Sequence, residues 1–395
     1  MTIEQAYLLK LISLSQFRTG VDGSEAPVNA VPEGIDWVRL YEEAMAQSVV
    51  CVTGSVLPDN VPADVRSRWK DAENRQLVTY IRYLNAQSNL TALLREKQIP
   101  FAVLKGLAAA VNYRDPSKRA MGDIDFIVPP EMFEQTREVL LAEGYQPVDY
   151  GVENIRHVAY DKGRVHFELH HHFGHEDREE VEKYVTNGLA KLREACVDNA
   201  EFTMLDRLGN GVVLLDHMKT HLKSGLGLRQ AVDWMMYVDR ELDDEFWTAE
   251  FEAAAADVRL VKFAKVATRM CQKYMGLRTE GITWCSDADD KLCDDLIENL
   301  LISGNFGRRN GEGQKIESIT ASIKREGLFT RLQKSGEGNW QAYKKHKWLK
   351  PFCWIYQSGR YVRQGIRARR SGSELKDDFK RAKTRHKLLK DLEII

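Results

Sequence analysis

Cysteine is scarce in this 395-residue chain. Its six thiols (Cys51, Cys196, Cys271, Cys285, Cys293, Cys353) form no C-x-x-C pair. That excludes a disulfide-stapled scaffold or a zinc knuckle and fits reduced thiols in a reducing compartment. No apolar run approaches the eighteen or so residues a spanning helix needs. Met1-Thr2-Ile3-Glu4-Gln5 lacks the basic and apolar blocks of a secretory signal, so a cytoplasmic protein is expected. Net charge is also nearly absent, at −1. That value hides an asymmetry: Gln341 to Ile395 holds 16 Lys or Arg against 5 Asp or Glu, a balance of +11 that leaves −12 on the preceding 340 residues. A basic tail suits nucleic acid, anionic lipid or an acidic partner, and equally a helix folded on its own acidic body.

What is present is ordinary globular material. Apolar residues make up 43% and charged residues 29%, which excludes collagen-like, mucin-like and wholly disordered chains. The length favours two or three packed units. Three- and four-residue apolar spacing predicts helices over Glu4–Phe17, Asp36–Gln47 and Val65–Lys97, with a polar stretch from Arg18 to Glu33 between the first two. Ile99-Pro100 stops helical geometry. The texture then changes: Phe101–Leu104 reads as a strand, Leu107–Tyr113 as a helix, and Ile124–Val128 as a strand ended by Pro129-Pro130. Glu131–Glu143 reads as a helix closed by Gly144, and Arg156–Tyr160 with Arg164–His170 as a hairpin turning at Asp161-Lys162-Gly163. From Asp206 the helical pattern returns (206–223, 228–242, 244–256, 261–274), and Asn305–Gly313 reads as a loop. The expected organisation is an N-terminal helical region (1–98), an α/β core (99–204), a helical domain (205–340) and a basic, aromatic-containing tail (341–395).

The chemistry concentrates in the core. Asp123 and Asp125 alternate with Ile124, so on a strand both carboxylates share one face. Two such carboxylates repel unless a cation lies between them, and a divalent ion with oxygen ligands resolves the conflict. Glu168 in His166-Phe167-Glu168-Leu169-His170 offers a third ligand if its strand lies beside the first; three converging carboxylates are the layout of two-metal phosphoryl transfer. Lys105-Gly106 ends one strand and opens a helix, where free N–H groups and a close-approaching glycine favour a phosphate. Arg114, Lys118 and Arg119 add positive charge nearby.

These residues in this order resemble a known family. Leu104-Lys105-Gly106, Tyr113-Arg114-Asp115-Pro116 and Arg119-Ala120-Met121-Gly122-Asp123-Ile124-Asp125-Phe126-Ile127-Val128 are similar to the uncharacterised nucleotidyltransferase family of the polymerase-beta-like superfamily. Phe167-Glu168-Leu169-His170 resembles its acidic third strand, with Glu where Asp is more usual. His221, Gly227-Leu228-Arg229 and Asp233-Trp234 resemble its later segment. The likeness covers Phe101 to Val238. It departs from the wider superfamily in having Lys105-Gly106 for a G-S or G-G pair, seventeen positions before Asp123.

The resemblance implies an α+β fold, a small mixed β-sheet nucleotidyltransferase module flanked by N-terminal and C-terminal helical regions. It implies transfer of NMP from an NTP, ATP first among them, to a hydroxyl-bearing small-molecule, sugar or protein acceptor, with release of pyrophosphate. Asp123, Asp125 and Glu168 would be the catalytic and metal-binding carboxylates, holding two Mg²⁺ ions, with Mn²⁺ as an alternative. Lys105, Gly106, Arg119, Gly122, His170 and Arg229 would bind the nucleotide. Two rivals are a catalytically inactive nucleotide-binding or regulatory protein of the same fold, and an RNA-modifying nucleotidyltransferase that holds RNA with its basic tail.

Several features have plainer readings. Alternation puts His166, His170 and His172 on the face of Glu168, which invites zinc, but no cysteine accompanies them; His170 orienting a carboxylate or substrate is the simpler reading. His217 and His221 stand four apart without the glutamate of a metalloprotease helix. Arg229 and Asp233 have the spacing of a helical ion pair.

Overall fold

The long helix Ala63–Glu96 ends before Pro100, and the chain then enters a sheet. The structure is a computed structural model and describes residues 1–17, 31–148, 157–173, 179–223, 225–305, 328–370 and 375–395. Most of the expected polar stretch after Phe17, Arg156, His175 and most of the loop after Asn305 lie outside the described residues. Helices α1 (Ile3–Phe17), α2 (Trp37–Ala46), α3 (Val50–Gly54) and α4 (Ala63–Glu96) come first. Asp36 caps α2 by accepting from the Val38 and Arg39 amides.

The core then alternates. It runs β1 (Ala102–Leu104), α5 (Gly106–Ala110), β2 (Ile124–Ile127), α6 (Phe133–Ala142), β3 (Gln146–Pro147), β4 (His157–Lys162), β5 (Val165–His170), α7 (Glu179–Leu189), β6 (Arg193–Val197) and β7 (Ala200–Met204). The strands form one seven-stranded mixed sheet in the order β3-β4-β5-β2-β1-β7-β6. β2 and β5 are parallel, as are β1 and β7, and the remaining neighbours are antiparallel. Helices α8 (Arg207–Leu222), α9 (Leu228–Glu241), α10 (Asp244–Phe246), α11 (Glu252–Asp257), α12 (Val261–Met275) and α13 (Asp290–Ser303) follow.

Both faces of the sheet are covered, which explains why its central strands are apolar almost throughout. Val103, Ile124, Phe126, Phe167 and Leu169 pack against Tyr80, Tyr83, Leu90 and Leu94 of α4 and Leu140 of α6. On the other face Ala102, Leu104 and Ile127 join a larger cluster built from α1, α8, α9, α12 and α13. Asp125 belongs to that second face and breaks the apolar pattern of β2; it is 2% exposed.

Local departures from the sequence pattern have local causes. The helix expected over Leu107–Tyr113 closes at Ala110. Helix 131–143 begins with a 3-10 turn, Pro130–Met132, before the regular α-helix Phe133–Ala142. Asp161 and Lys162 belong to β4, so the hairpin turns at Gly163-Arg164 instead. The 244–256 segment is interrupted by a π turn, Trp247–Phe251. Strands β6 and β7 were not expected at all.

After a helix at Leu328–Asn339, the tail comprises Gln341–Lys345, Cys353–Arg370 and Leu375–Asp391. Its last helix returns to the body: Leu388, Leu389 and Leu392 enter the larger cluster, and Arg385 Nη2 donates to Ser303 Oγ at 2.8 Å. Trp340 stacks on Tyr356 while Trp348 and Phe352 stay exposed. No described helix is long and apolar enough to cross a membrane. Phe126 is fully buried on a central strand, so Phe126→Ala should lower unfolding free energy by about 3–5 kcal/mol. Denaturant titration measures this, and a loss under about 1 kcal/mol would contradict the packing described.

Candidate active site

The acidic pair sits where β2 begins. Asp123 immediately precedes the strand and Asp125 lies within it, two residues on and therefore on the same face. Parallel pairing puts Glu168 of β5 directly beside Asp125, and carboxylate oxygens of all three residues lie within 4.8 Å of one another. The Asp125 charge, reinforced by burial, pushes the Asp123 carboxyl up to about 6. Asp125 behaves oppositely. Burial opposes its charge, but Lys105 and His170 outweigh that and hold its carboxyl well below the usual range. Lys105 Nζ is 2.7 Å and His170 Nε2 3.0 Å from Asp125 Oδ1, and His170 Nε2 is 3.4 Å from Glu168 Oε2. Burial resists the charge of Lys105 and of His170; the adjacent carboxylates still keep both more strongly protonated than usual.

Lys105 is held there by an unusual backbone. It follows β1 with φ 51° and ψ −129°, a conformation that favours glycine and costs a side-chain-bearing residue of the order of 1–3 kcal/mol. Gly106 follows with φ 30°, and a Cβ there would lie 3.6 Å from the Asp123 carbonyl oxygen. The turn thus brings β1's end against the start of β2. Helix α5 has only five residues, so the helix-terminus contribution expected at Lys105-Gly106 is small beside the ammonium itself.

Helices α8 and α9 form the opposite wall of a cleft of about 240 Å³. Asp216, His217, Thr220 and His221 of α8 line it, with Arg229 of α9, Phe173 and His157. His217 and His221 hydrogen-bond through their Nε2 atoms at 2.8 Å. Burial, and then the neighbouring imidazole for His217 or Lys105 and Arg229 for His221, disfavours charge on both; His221 falls to about 4 and His217 lies well below its usual value. Both rings are therefore neutral near pH 7, one Nε2–H donating to the other ring. Arg229 Nη1 donates to the Ala120 carbonyl at 3.2 Å, tying α9 to the segment that leads into Asp123. Gly227, at the start of α9, lets that helix end pack closely on Asn305, since a Cβ there would lie 2.6 Å from the Asn305 Cα.

Of the expected nucleotide-binding residues, Lys105, Gly106, Arg119, His170 and Arg229 line the cleft with the three carboxylates. Gly122 is not among the lining residues; its carbonyl accepts the Tyr83 hydroxyl at 2.7 Å. Arg119 lines the cleft, yet its guanidinium is bidentate to Asp233, with Nε–Oδ1 2.7 Å and Nη2–Oδ2 2.8 Å. The Tyr113 hydroxyl donates to the same carboxylate at 2.7 Å. Asp233 thus takes Arg119 across 114 residues rather than serving chiefly its helical neighbour Arg229. Lys118 Nζ faces Glu73 at 3.2 Å, and Arg114 is not among the lining residues. His166 turns to Asp161 and His172 to Glu182.

Sequence reasoning missed His157, Phe173, Asp216 and Thr220. The turn expected at Asp161-Lys162-Gly163 sets His157 opposite Phe167; only the observed turn at Gly163-Arg164 sets it opposite His170.

Three carboxylates on neighbouring strands, faced by a lysine at the end of β1 and roofed by two helices, have the layout of a nucleotidyltransferase module. A family model described as an uncharacterised nucleotidyltransferase matches residues 33–276, and the chain belongs to that family. No curated protein matches. Among solved structures, the chain is similar to an antigenic nucleotidyltransferase-like protein from Paracoccidioides brasiliensis, at 13% identity and a TM-score of 0.30, covering 51% of this chain and 96% of that one.

Two outcomes follow from these contacts. In the metal-free protein the Asp123 carboxyl should titrate near 6 by carboxyl ¹³C NMR, and Asp125→Asn should return it toward 3.8. The folded group holds its proton to higher pH than the unfolded one. Repulsion therefore costs stability above pH 6 and is relieved as the pH falls through that value. Asp233→Asn leaves Arg119 buried and without its anion, and should destabilise the fold by about 3–5 kcal/mol in chemical denaturation; a loss within about 0.5 kcal/mol would mean the pair is effectively solvated.

Proposed function

We propose that the chain is a metal-dependent nucleotidyltransferase that moves NMP from an NTP, ATP first among them, to a hydroxyl-bearing acceptor and releases pyrophosphate. The observation that carries this reading is the convergence of Asp123, Asp125 and Glu168 within 4.8 Å beside Lys105 and Arg229 in one cleft. The donor set fits a divalent cation: the Asp125 charge, with burial, raises Asp123 to about 6, and a hard divalent ion is stabilised by three such oxygen ligands. Asp123, Asp125 and Glu168 would hold Mg²⁺ or Mn²⁺. The ion would supply neutralisation of phosphate charge and lower the cost of ionising the acceptor.

The chain's own residues divide the remaining work. Lys105 and Arg229 bring positive charge to the triphosphate, and Gly106 lets the backbone approach it. Arg119, locked on Asp233, fixes the segment that carries Asp123. The acceptor oxygen attacks the α-phosphorus in line, and the bond from that phosphorus to the pyrophosphate oxygen breaks. The acceptor proton passes to the Glu168 carboxylate, which has no lysine at hydrogen-bond distance, whereas Asp125 is paired with Lys105. Positioning and charge neutralisation provide most of the acceleration.

Calorimetry with ATP and Mg²⁺ tests the reading. Wild type should bind the nucleotide only with the metal present, and Asp123→Ala/Asp125→Ala should abolish binding while remaining folded. Unchanged affinity in the double variant would remove the carboxylates from the site. Once an acceptor is found, Glu168→Gln should slow transfer by roughly 10²–10⁴-fold and leave nucleotide affinity within a few-fold.

A further inference from the structure

Glu168 belongs to two sets of ligand atoms. Besides the carboxylate cluster it lies with His157 and His170, and one ligand atom from each of these three also falls within 4.8 Å of the others. The hairpin produces this set. His157 of β4 pairs with His170 of β5, and Ala159 pairs with Glu168; residues two apart share a face, so all three side chains project together. Each carboxylate oxygen of Glu168 faces a different imidazole through the same nitrogen. His157 Nε2 is 3.5 Å from Oε1 and His170 Nε2 is 3.4 Å from Oε2. The rings themselves stand 4.9 Å apart. His170 is buried, and its other nitrogen, Nδ1, has no hydrogen-bond partner among the described residues; its Nε2 also lies 3.0 Å from Asp125 Oδ1, so an ion at Nε2 would take the place of the proton now facing the two carboxylates.

We propose that His157, Glu168 and His170 form a mixed nitrogen–oxygen site for a divalent first-row transition ion, beside the all-carboxylate set and sharing Glu168 with it. The proposal rests on the nucleotidyl-transfer reading of the same cleft and refines its metal requirement. Mg²⁺ takes oxygen ligands and keeps its waters, whereas imidazole nitrogen favours the later ions. Two imidazoles at one cation position therefore select against Mg²⁺ there.

Mn²⁺ alone, titrated into the full chain and read by electron paramagnetic resonance, tests this. Wild type should show ¹⁴N spin-echo modulation from coordinated imidazole. His157→Ala and the shape-preserving His157→Gln should each weaken that modulation and lower Mn²⁺ affinity at least about tenfold, with circular dichroism unchanged. Mn²⁺ bound through oxygen only, or modulation unchanged in both variants, overturns the site. If Mg²⁺-dependent ATP binding persists in that case, the nucleotidyl-transfer reading stands without it. No bound Mn²⁺ at all overturns the site whatever the ATP calorimetry gives.

Discussion

Like charges brought together away from bulk water govern the arrangement of this cleft. Asp123, Asp125 and Glu168 share one edge of the sheet, and each surrounding group answers the field they make. Asp125, the most deeply buried, takes two cationic or proton-donating partners in Lys105 and His170. Asp123 lacks such direct support and keeps its proton up to about 6. Across the cleft, His217 and His221 are driven neutral by burial and by the nearby cations. The result is a sorted pocket, with an acidic sheet wall, a basic turn after β1, and an uncharged imidazole pair on the helix.

A second buried ionic group holds the two walls in register. Asp233 accepts both Arg119 and the Tyr113 hydroxyl, and these come from the stretch between β1 and β2, while Asp233 itself belongs to α9. Arg229, one helical turn earlier, reaches the Ala120 carbonyl. The segment leading into the acidic pair is therefore gripped from the helical side at two adjacent points. Displacing α9 by an ångström would displace Asp123 with it, so the helical flank is part of the site's geometry rather than a cover over it.

Much of this was legible from the residues, for identifiable reasons. The run Ile124 to Val128 between a glycine and two prolines could scarcely be anything but a strand, and alternation then put both aspartates on one face. Glu168 followed from the same logic. Alternation reports faces and not neighbours, so the parallel pairing of β2 with β5 entered only as a condition, and His157 went unnoticed because the turn expected at Asp161-Lys162-Gly163 sets it opposite Phe167 rather than His170. Strands β6 and β7 escaped because Glu194, Cys196 and Glu201 are exposed and dilute the apolar signal. The helix read over Leu107–Tyr113 had the right composition for its first turns, but the chain leaves α5 at Ala110 and carries the Tyr113 hydroxyl to Asp233. The Arg119–Asp233 ion pair went unread because a long-range carboxylate partner leaves no local trace in sequence.

The span of those contacts also fixes when the site can exist. Arg119 meets Asp233 across 114 residues, and β2 must wait for the whole α6–β4 excursion before β5 arrives beside it. At translation speeds of about 5–20 residues per second, Arg119 is exposed on the nascent chain for roughly 6–23 seconds before its carboxylate is made. Parallel, non-local pairings are also the slow ones to form. The cleft is therefore a late product of synthesis: a truncated or stalled chain ending before α9 displays the acidic pair and an uncompensated arginine together, without the walls that make them a site.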